Sequence, residues 1–177
     1  MKPAKKGPAA SRPSSPAPGR ASRRDRDVRE FEHDTYKGKG KLAEPSACPQ
    51  CGAVFHKGRW TWGTKPAGAH DALCPACQRI EDKYPKGIVT LKGSYAEGHK
   101  EELLGLIHNE ESKEKSAHPL ARIMSIANTR EGTVISTTDS HLPKRIGDAL
   151  HHAYHGELDV QYNKAEDFVR VTWSRES

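Results

Sequence analysis

Four cysteines, arranged as two pairs, carry the clearest chemical signal in this sequence. Cys48 and Cys51 form the first pair and Cys74 and Cys77 the second, with 22 residues between the pairs. Each C-P-x-C turn can direct two thiolates at one point, and two such turns complete the tetrahedron that zinc prefers. Because four thiolates close the coordination shell, the spacing predicts one structural Zn2+ ion and no open position for catalysis.

Paired cysteines also occur in sites of other kinds. A dithiol redox centre and an iron–sulfur site are both compatible with paired cysteines, but the surrounding residues are typical of a ribbon and not of a βαβ redox fold. His56 and His70 lie between the pairs and could in principle substitute as ligands, but the four cysteines already complete the set at good spacing. Gly52 permits a left-handed conformation after the first pair, whereas Gln78 occupies the matching position of the second.

The segment between the pairs places two tryptophans among cations. If this segment is extended, Trp60 and Trp62 project from one face. Aromatic rings beside Lys57, Arg59 and Lys65 suit unpaired RNA bases and their phosphates, so these five residues are candidate RNA contacts. The alternative is that the tryptophans pack the ribbon against the next domain, because a small ribbon has little core of its own.

A predicted helix near the C-terminus carries His151, His152 and His155, which are candidate ligands of a second metal site. A metalloprotease helix would need Glu directly after the first His of H-x-x-x-H, and here that position is His152. A solvated or RNA-facing surface is favoured instead, and Lys144 and Arg145 of the same helix are added to the candidate RNA contacts. No arrangement typical of catalysis is found, and the sequence predicts a protein that is not an enzyme.

The positive charge of the chain is concentrated at its N-terminus. Residues 1–46 hold 12 of the 29 Lys/Arg and 6 of the 23 Asp/Glu, and the rest of the chain is neutral. Such a basic arm favours a polyanionic partner through phosphate neutralisation and counterion release; the alternative is a solubilising tail. Residues 1–24 combine five Pro and seven Lys/Arg with no acid, which predicts disorder.

The sequence also bears on the compartment. No segment approaches the roughly 18 consecutive apolar residues of a membrane helix, and the arm has no amphipathic apolar face for a membrane surface. The basic start is not followed by an apolar stretch, so secretion is not expected. Paired cysteines without an export signal indicate a reducing compartment. We therefore predict a cytoplasmic protein with no membrane partner and no small-molecule substrate.

Three segments are predicted to position these residues: a disordered basic arm over 1–46, a C4 zinc ribbon over 47–86 and an α+β domain over 87–177. In the last segment, β-branched and alternating apolar runs predict strands, and apolar residues at intervals of three and four predict helices. The predicted order is β-αα-β-α-β-β. This order implies a two-layer domain with a mixed sheet.

Individual elements of the α+β domain follow from local patterns. Ile88–Leu91 is predicted as a strand, and a first helix is predicted from about His99. A second helix is predicted to begin at Pro119, which suits a first turn, and Ser140 is predicted to cap the third. The apolar residues assigned to the second helix are Leu120, Ile123, Met124 and Ala127.

The order of these features resembles that of a known family. A paired C-P-x-C ribbon precedes a strand, and Val134–His141 then leads into Lys144, Arg145 and Ile146 at the start of a helix. With the hairpin that follows, residues 46–174 are similar to the central region of the NMD-three family of large-subunit ribosome adaptors, in particular to its short bacterial relatives. The resemblance implies zinc binding at the four cysteines and contact with the large ribosomal subunit.

The sequence thus predicts a zinc-ribbon RNA-binding accessory protein that contacts ribosomal RNA or the large ribosomal subunit in assembly or storage. One alternative is a DNA-binding zinc-ribbon regulator, although the sequence shows no helix-turn-helix pattern that would read a groove. The other alternative is a metal-dependent enzyme that uses the His151/His152/His155 helix.

Overall fold

The four cysteines are surrounded by short elements. The computed structural model describes Tyr36 and residues 41–177, which lie in one unit spanning Glu32–Ser177. The first elements are β1 (Ser46–Ala47), β2 (Val54–His56), β3 (Arg59–Thr61), β4 (His70–Asp71) and the helix α1 (Pro75–Asp82). The strands form one sheet in the order β3-β2-β1-β4, in which only β1 and β4 pair in parallel. We call residues 46–82 the ribbon.

A second, larger sheet follows the ribbon. Its elements are β5 (Gly87–Lys92), α2 (Ser94–Gly98), α3 (Lys100–Ala117), β6 (Ile123–Thr129), β7 (Gly132–Thr137), α4 (His141–Tyr154), β8 (Glu157–Asn163) and β9 (Phe168–Ser174). The strand order is β6-β7-β5-β9-β8, with β5 and β9 parallel and the other neighbours antiparallel. The mixed sheet confirms the predicted α+β fold, and residues 87–174 are called the α+β domain below.

The core of the α+β domain lies between one face of this sheet and the two long helices. Leu142, Ile146 and Leu150 form a stripe along α4, and all three are fully buried against Val171 and Trp173 of β9 and their neighbours. Burial of each such side chain contributes about 1.5–3 kcal/mol relative to exposure. The same cluster includes Leu103 and Ile107 of α3 and Val89 and Leu91 of β5. The domain therefore has a core that does not depend on the ribbon.

The segment after α3 differs from the prediction. The helix predicted to begin at Pro119 is wrong, because Ile123–Thr129 forms the edge strand β6, which pairs with β7. Residues 118–122, which we call the connector, join α3 to this strand. The domain accordingly has the order β-αα-ββ-α-ββ, with the short α2 and the long α3 as its first two helices.

A β-bulge explains why a strand was mistaken for a helix. Ile123 pairs with Thr137, but Ser125 already pairs with Ser136, so Met124 is an extra residue in β6. The extra residue puts Ile123 and Ile126 on the same, core-facing side of the sheet although they are three positions apart. A spacing of three between apolar residues is also the helical signal, and local sequence does not separate the two cases.

Predictions for the arm fall mostly outside the described part of the chain. The predicted disorder of residues 1–46 lies outside the described residues except for Tyr36 and 41–46. Of these, Ser46 belongs to β1, and Glu44 accepts hydrogen bonds from the backbone N–H groups of Lys57 (2.7 Å) and Gly58 (3.3 Å). The ribbon sheet thus engages residues that precede the predicted boundary at Ala47.

Candidate metal centre

The four cysteine sulfurs converge on one point. The Sγ atoms of Cys48, Cys51, Cys74 and Cys77 all lie within 4.8 Å of one another, and the Sγ atoms of Cys51 and Cys74 are 3.7 Å apart. A disulfide would need a separation of about 2.05 Å. Four thiolates at about 2.3 Å from a central zinc ion would be roughly 3.8 Å apart, so the cluster fits a tetrahedral site. These cysteines form a C4 site able to hold one zinc ion.

The first cysteine pair lies in a tight turn between β1 and β2. The backbone N–H of Cys48 donates to the carbonyl oxygen of Ala53 (2.8 Å), and that of Gly52 donates to the carbonyl oxygen of Cys48 (2.9 Å). Gly52 adopts a φ of +76°, a conformation in which a side chain would be strained. This turn directs the side chains of Cys48 and Cys51 to the same side, as the C-P-x-C spacing predicts.

The second cysteine pair opens a helix, and this helix was not predicted. Cys74 is the N-cap of α1, and its Sγ accepts a hydrogen bond from the backbone N–H of Cys77 (3.4 Å). Pro75 occupies the first turn, where it costs no hydrogen bond. Gln78 lies within α1 and therefore needs no left-handed conformation, and its Nε2 donates to the carbonyl oxygen of Leu73 (3.0 Å). The sequence does contain a signal for this helix, because good helix formers follow the proline in the short segment Pro75–Asp82.

Burial and hydrogen bonding act in opposite directions on these thiols. Burial opposes ionisation of Cys48, but N–H groups of Cys74, Cys51 and Gln50 stabilise its thiolate and lower its pKa to about 7. Burial raises the pKa of Cys74 and that of Cys77. Zinc binds thiolates, so binding at this site releases protons, and zinc affinity falls as the pH falls.

A buried arginine of the connector reaches the cysteine cluster. The Arg122 side chain donates through Nη1 to Cys77 Sγ (3.4 Å) and through Nη2 to Cys74 Sγ (3.8 Å). Burial opposes the charge of Arg122, but its thiol neighbours raise its pKa. No local pattern in the sequence indicated this contact, because Arg122 is 45 residues from Cys77 along the chain.

The predicted RNA contacts of the ribbon occupy different places on it. Lys57 lies in the exposed turn between β2 and β3, and the exposed Arg59 is the first residue of β3. Lys65 lies beyond β3, where it forms an exposed ion pair with Asp71 (2.7 Å). Trp60 belongs to β3, is half-buried, and packs on the cysteine cluster with its ring 5.4 Å from that of Phe55. These positions leave the three cations on the surface and give Trp60 a packing role within the ribbon.

Trp62 packs against the α+β domain. Its indole Nε1–H donates to the carbonyl oxygen of Lys115 near the end of α3 (2.6 Å), and the Arg122 guanidinium lies 5.7 Å from its ring centroid. The ring remains 39% exposed. Trp62 therefore packs the ribbon against the next domain, which is the alternative given for it in the sequence analysis. Stacking of either tryptophan on RNA stays a prediction.

The structure brings Trp60 together with the two candidate residues of α4. A cavity of about 700 Å³ lies between the ribbon and the first turns of α4, and Trp60, Lys144 and Arg145 are among its lining residues. Arg145 is held by Glu114 (2.9 Å) and Glu110 (3.7 Å). No ion pair of Lys144 occurs within residues 41–177. The remaining lining residues are Glu114, His118, Pro119, Leu120, Ala121, Asp139, His141 and Asp148.

Asp139, and not Ser140, caps the helix that lines this cavity. Ser140 occupies the N-cap position of α4 but makes no capping hydrogen bond with its side chain. The Asp139 carboxylate instead accepts from the backbone N–H groups of His141 (3.1 Å) and Leu142 (3.3 Å). Burial raises the pKa of Asp139, and these two N–H groups oppose that shift. The cap thus fixes the start of α4, and His141 and Lys144 of this helix line the cavity.

The histidines do not join a metal cluster in the described part of the chain. Within Tyr36 and residues 41–177, the four cysteines are the one group of His, Cys, Asp and Glu side chains placed to hold a metal ion. The ring of His151 instead bonds through Nδ1 with the carbonyl oxygen of Gly156 (3.0 Å). His56 and His70 lie on the ribbon strands β2 and β4, outside the cysteine cluster.

Comparisons with protein-family models, with curated proteins and with solved structures returned no match. The resemblance of residues 46–174 to the NMD-three family therefore stays a prediction. Among the described residues, no helix combines the length and the apolar character needed to cross a membrane.

Proposed function

We propose that the protein is a non-enzymatic zinc-ribbon RNA-binding accessory protein that contacts ribosomal RNA or the large ribosomal subunit during assembly or storage. The observation that carries the proposal is the cavity between the ribbon and α4. Its lining includes the aromatic ring of Trp60, the cation Lys144, and His118 and His141. An aromatic face in the same cavity as a cation suits an unpaired base and its phosphate.

The size of the cavity favours a single-stranded segment. A volume of about 700 Å³ lies in the range of sites that hold one small ligand or one nucleotide, and it is too small for a duplex. The walls also carry Glu114, Asp139 and Asp148, but Glu114 is paired with Arg145 and Asp139 caps α4. These two carboxylates therefore compete little with a phosphate for Lys144, and Asp148 is the one lining carboxylate without such a partner within residues 41–177.

The distribution of charge supports the same partner. The excess positive charge is in residues 1–46, whereas the ribbon and the α+β domain together are neutral. An arm of this composition attracts any polyanion, so selectivity falls to the folded part. The C4 site, with four protein ligands for one metal ion, gives the zinc a structural and not a catalytic role. The resemblance to ribosome adaptors supports ribosomal RNA as the target.

Single-residue variants at the cavity test the proposal. Trp60→Leu keeps an apolar side chain on the cysteine cluster but removes the stacking surface, and we expect about tenfold weaker binding of single-stranded RNA. Lys144→Ala should weaken binding a few-fold and lower the slope of log K against log salt by about 0.7. The matched control is Lys164→Ala, which removes an exposed lysine that does not line the cavity. Fluorescence anisotropy with labelled RNA measures all three.

The same titration distinguishes the proposed RNA site from the alternative partners. Equal affinity of the Trp60, Lys144 and Lys164 variants would remove the cavity from the proposed RNA site. Preference for double-stranded DNA over single-stranded RNA would favour the regulator instead. Co-sedimentation of the full-length protein with ribosomal subunits at low and high salt tests the ribosomal target. Retention on the large subunit is expected, and retention on neither subunit would limit the proposal to RNA binding.

A further inference from the structure

Three contacts between the ribbon and the α+β domain converge on one short segment. Trp62 donates its indole N–H to Lys115 in the last turn of α3, and Leu120 of the connector packs against the cysteine cluster. Arg122, the last residue of the connector, donates to Cys74 and Cys77. The position of the ribbon on the domain therefore depends on residues 115–122.

Arg122 also forms hydrogen bonds within the α+β domain and the connector. Its backbone N–H donates to Thr138 Oγ1 (2.9 Å), and its carbonyl oxygen accepts from the backbone N–H of Thr138 (2.9 Å). Its Nε–H donates to the carbonyl oxygen of Pro119 (2.7 Å). The residue is 7% exposed. Arg122 thus connects the end of β7 to the cysteine sulfurs through bonds to both.

The cysteine cluster is the counter-charge of this buried guanidinium. A buried cation is costly unless it is paired, and within residues 41–177 no carboxylate forms an ion pair with Arg122. Four thiolates around one Zn2+ carry a net charge of about −2, so the zinc-filled site supplies the negative charge that balances the Arg122 guanidinium. Side chains that donate to metal-bound ligands contribute strongly to metal affinity.

We propose that Arg122 links zinc binding to the seating of the ribbon on the α+β domain. Zinc holds four sulfurs at one point, and two of these sulfurs are the acceptors that hold Arg122. Without the metal the sulfurs are no longer held together, and Arg122 loses acceptors in fixed positions. The connector then loses the ordered cluster on which Leu120 packs, and Trp62 loses a fixed position beside Arg122. Because coupling is reciprocal, a seated ribbon also binds zinc more tightly by the same factor.

The cavity depends on this coupling. Trp60 lines it from the ribbon, His141 and Lys144 line it from α4, and Leu120 lines it from the connector. Loss of zinc would therefore open the cavity as well as loosen the ribbon. The coupling itself is independent of what the cavity binds, and it is measured without RNA.

The rate of zinc loss from the full-length protein tests the role of Arg122. Arg122→Met keeps an unbranched side chain without its charge, and Arg122→Lys restores a cation with fewer donors. We expect zinc transfer to a chelating dye to be at least tenfold faster in Arg122→Met than in wild type, with Arg122→Lys between them. The matched control, Arg170→Met, removes an exposed arginine that lies over Phe168 (4.8 Å) and should release zinc at the wild-type rate.

Hydrogen exchange on the wild-type protein provides a second measurement that needs no variant. Removal of zinc by a chelator should speed exchange of the Trp62 indole N–H and of the connector amides, while β7 stays protected by the core of the domain. A wild-type rate of zinc loss in Arg122→Met would overturn the proposal. Continued protection of Trp62 and the connector in the zinc-free protein would also overturn it. If Arg122→Met does not fold, the hydrogen-exchange measurement by itself tests the proposal.

Discussion

Replacing Cys48 and Cys51 with serine should reduce the zinc content from one ion per chain to none and unfold the ribbon, while the α+β domain stays folded. The fully buried residues of the ribbon cluster are small: Cys48, Ala53, Cys74, Ala76 and Cys77. Such a cluster buries little apolar area, whereas metal binding contributes about 10–16 kcal/mol in isolated zinc-finger peptides. The α+β domain keeps its own core between α3, α4 and the sheet.

Metal analysis and segment-resolved hydrogen exchange check this result together. Exchange should rise throughout residues 46–82 and stay slow in β5, β7 and β9. The matched control replaces His151, His152 and His155 with alanine, and this variant should keep one zinc ion per chain. Stoichiometric zinc in the cysteine variant would refute the C4 assignment. Two zinc ions in wild type, one of them lost with the histidines, would revive the metal-dependent enzyme.

Elements whose signals are local were predictable from the sequence. Leu142, Ile146 and Leu150 repeat at intervals of four, and the structure buries all three completely on one side of α4. The conformation of the cysteine pairs is equally local, because Gly52 follows the first C-P-x-C segment with a positive φ and Pro75 occupies the first turn of the helix that the second pair opens. In both cases the residues that determine the conformation are neighbours in the chain.

Features that depend on pairing between distant residues were not predictable in the same way. The extra residue in β6, Met124, is visible only once Ile123 is placed opposite Thr137 of β7. The contact of Arg122 with Cys77 likewise requires the ribbon to be seated on the domain. Local propensity gives no information on either event, because both are set by tertiary packing.

The two tryptophans show how one local pattern leads to different roles. The sequence placed Trp60 and Trp62 on the same face of an extended segment, but β3 ends at Thr61, between them. Trp60 stays with the ribbon and lines the cavity, whereas Trp62 turns to the carbonyl oxygen of Lys115. Only Trp60 is therefore retained as a stacking candidate at the cavity. The distinction arises where the strand ends, which sequence patterns locate poorly.

Deleting residues 1–24 should produce the largest change in RNA affinity at low salt, because it removes seven Lys/Arg and no acid. Each phosphate contact on a single strand contributes about 0.7 to the slope of log K against log salt. If three or four of these cations touch phosphate, the slope should fall by about 2–3. Anisotropy titrations of wild type and truncation across a salt series measure the change.

Preference for the true target over random RNA should survive the deletion. Phosphate contacts position a protein on RNA without reading its sequence, so selectivity is assigned to the cavity that holds Trp60 and Lys144. A full-length control, with the seven Lys/Arg of residues 1–24 changed to Gln, separates charge from chain length and should match the truncation. An unchanged salt slope would make the arm a solubilising segment. Loss of preference in the truncation, with the ribbon and its zinc intact, would instead move recognition from the cavity into the arm.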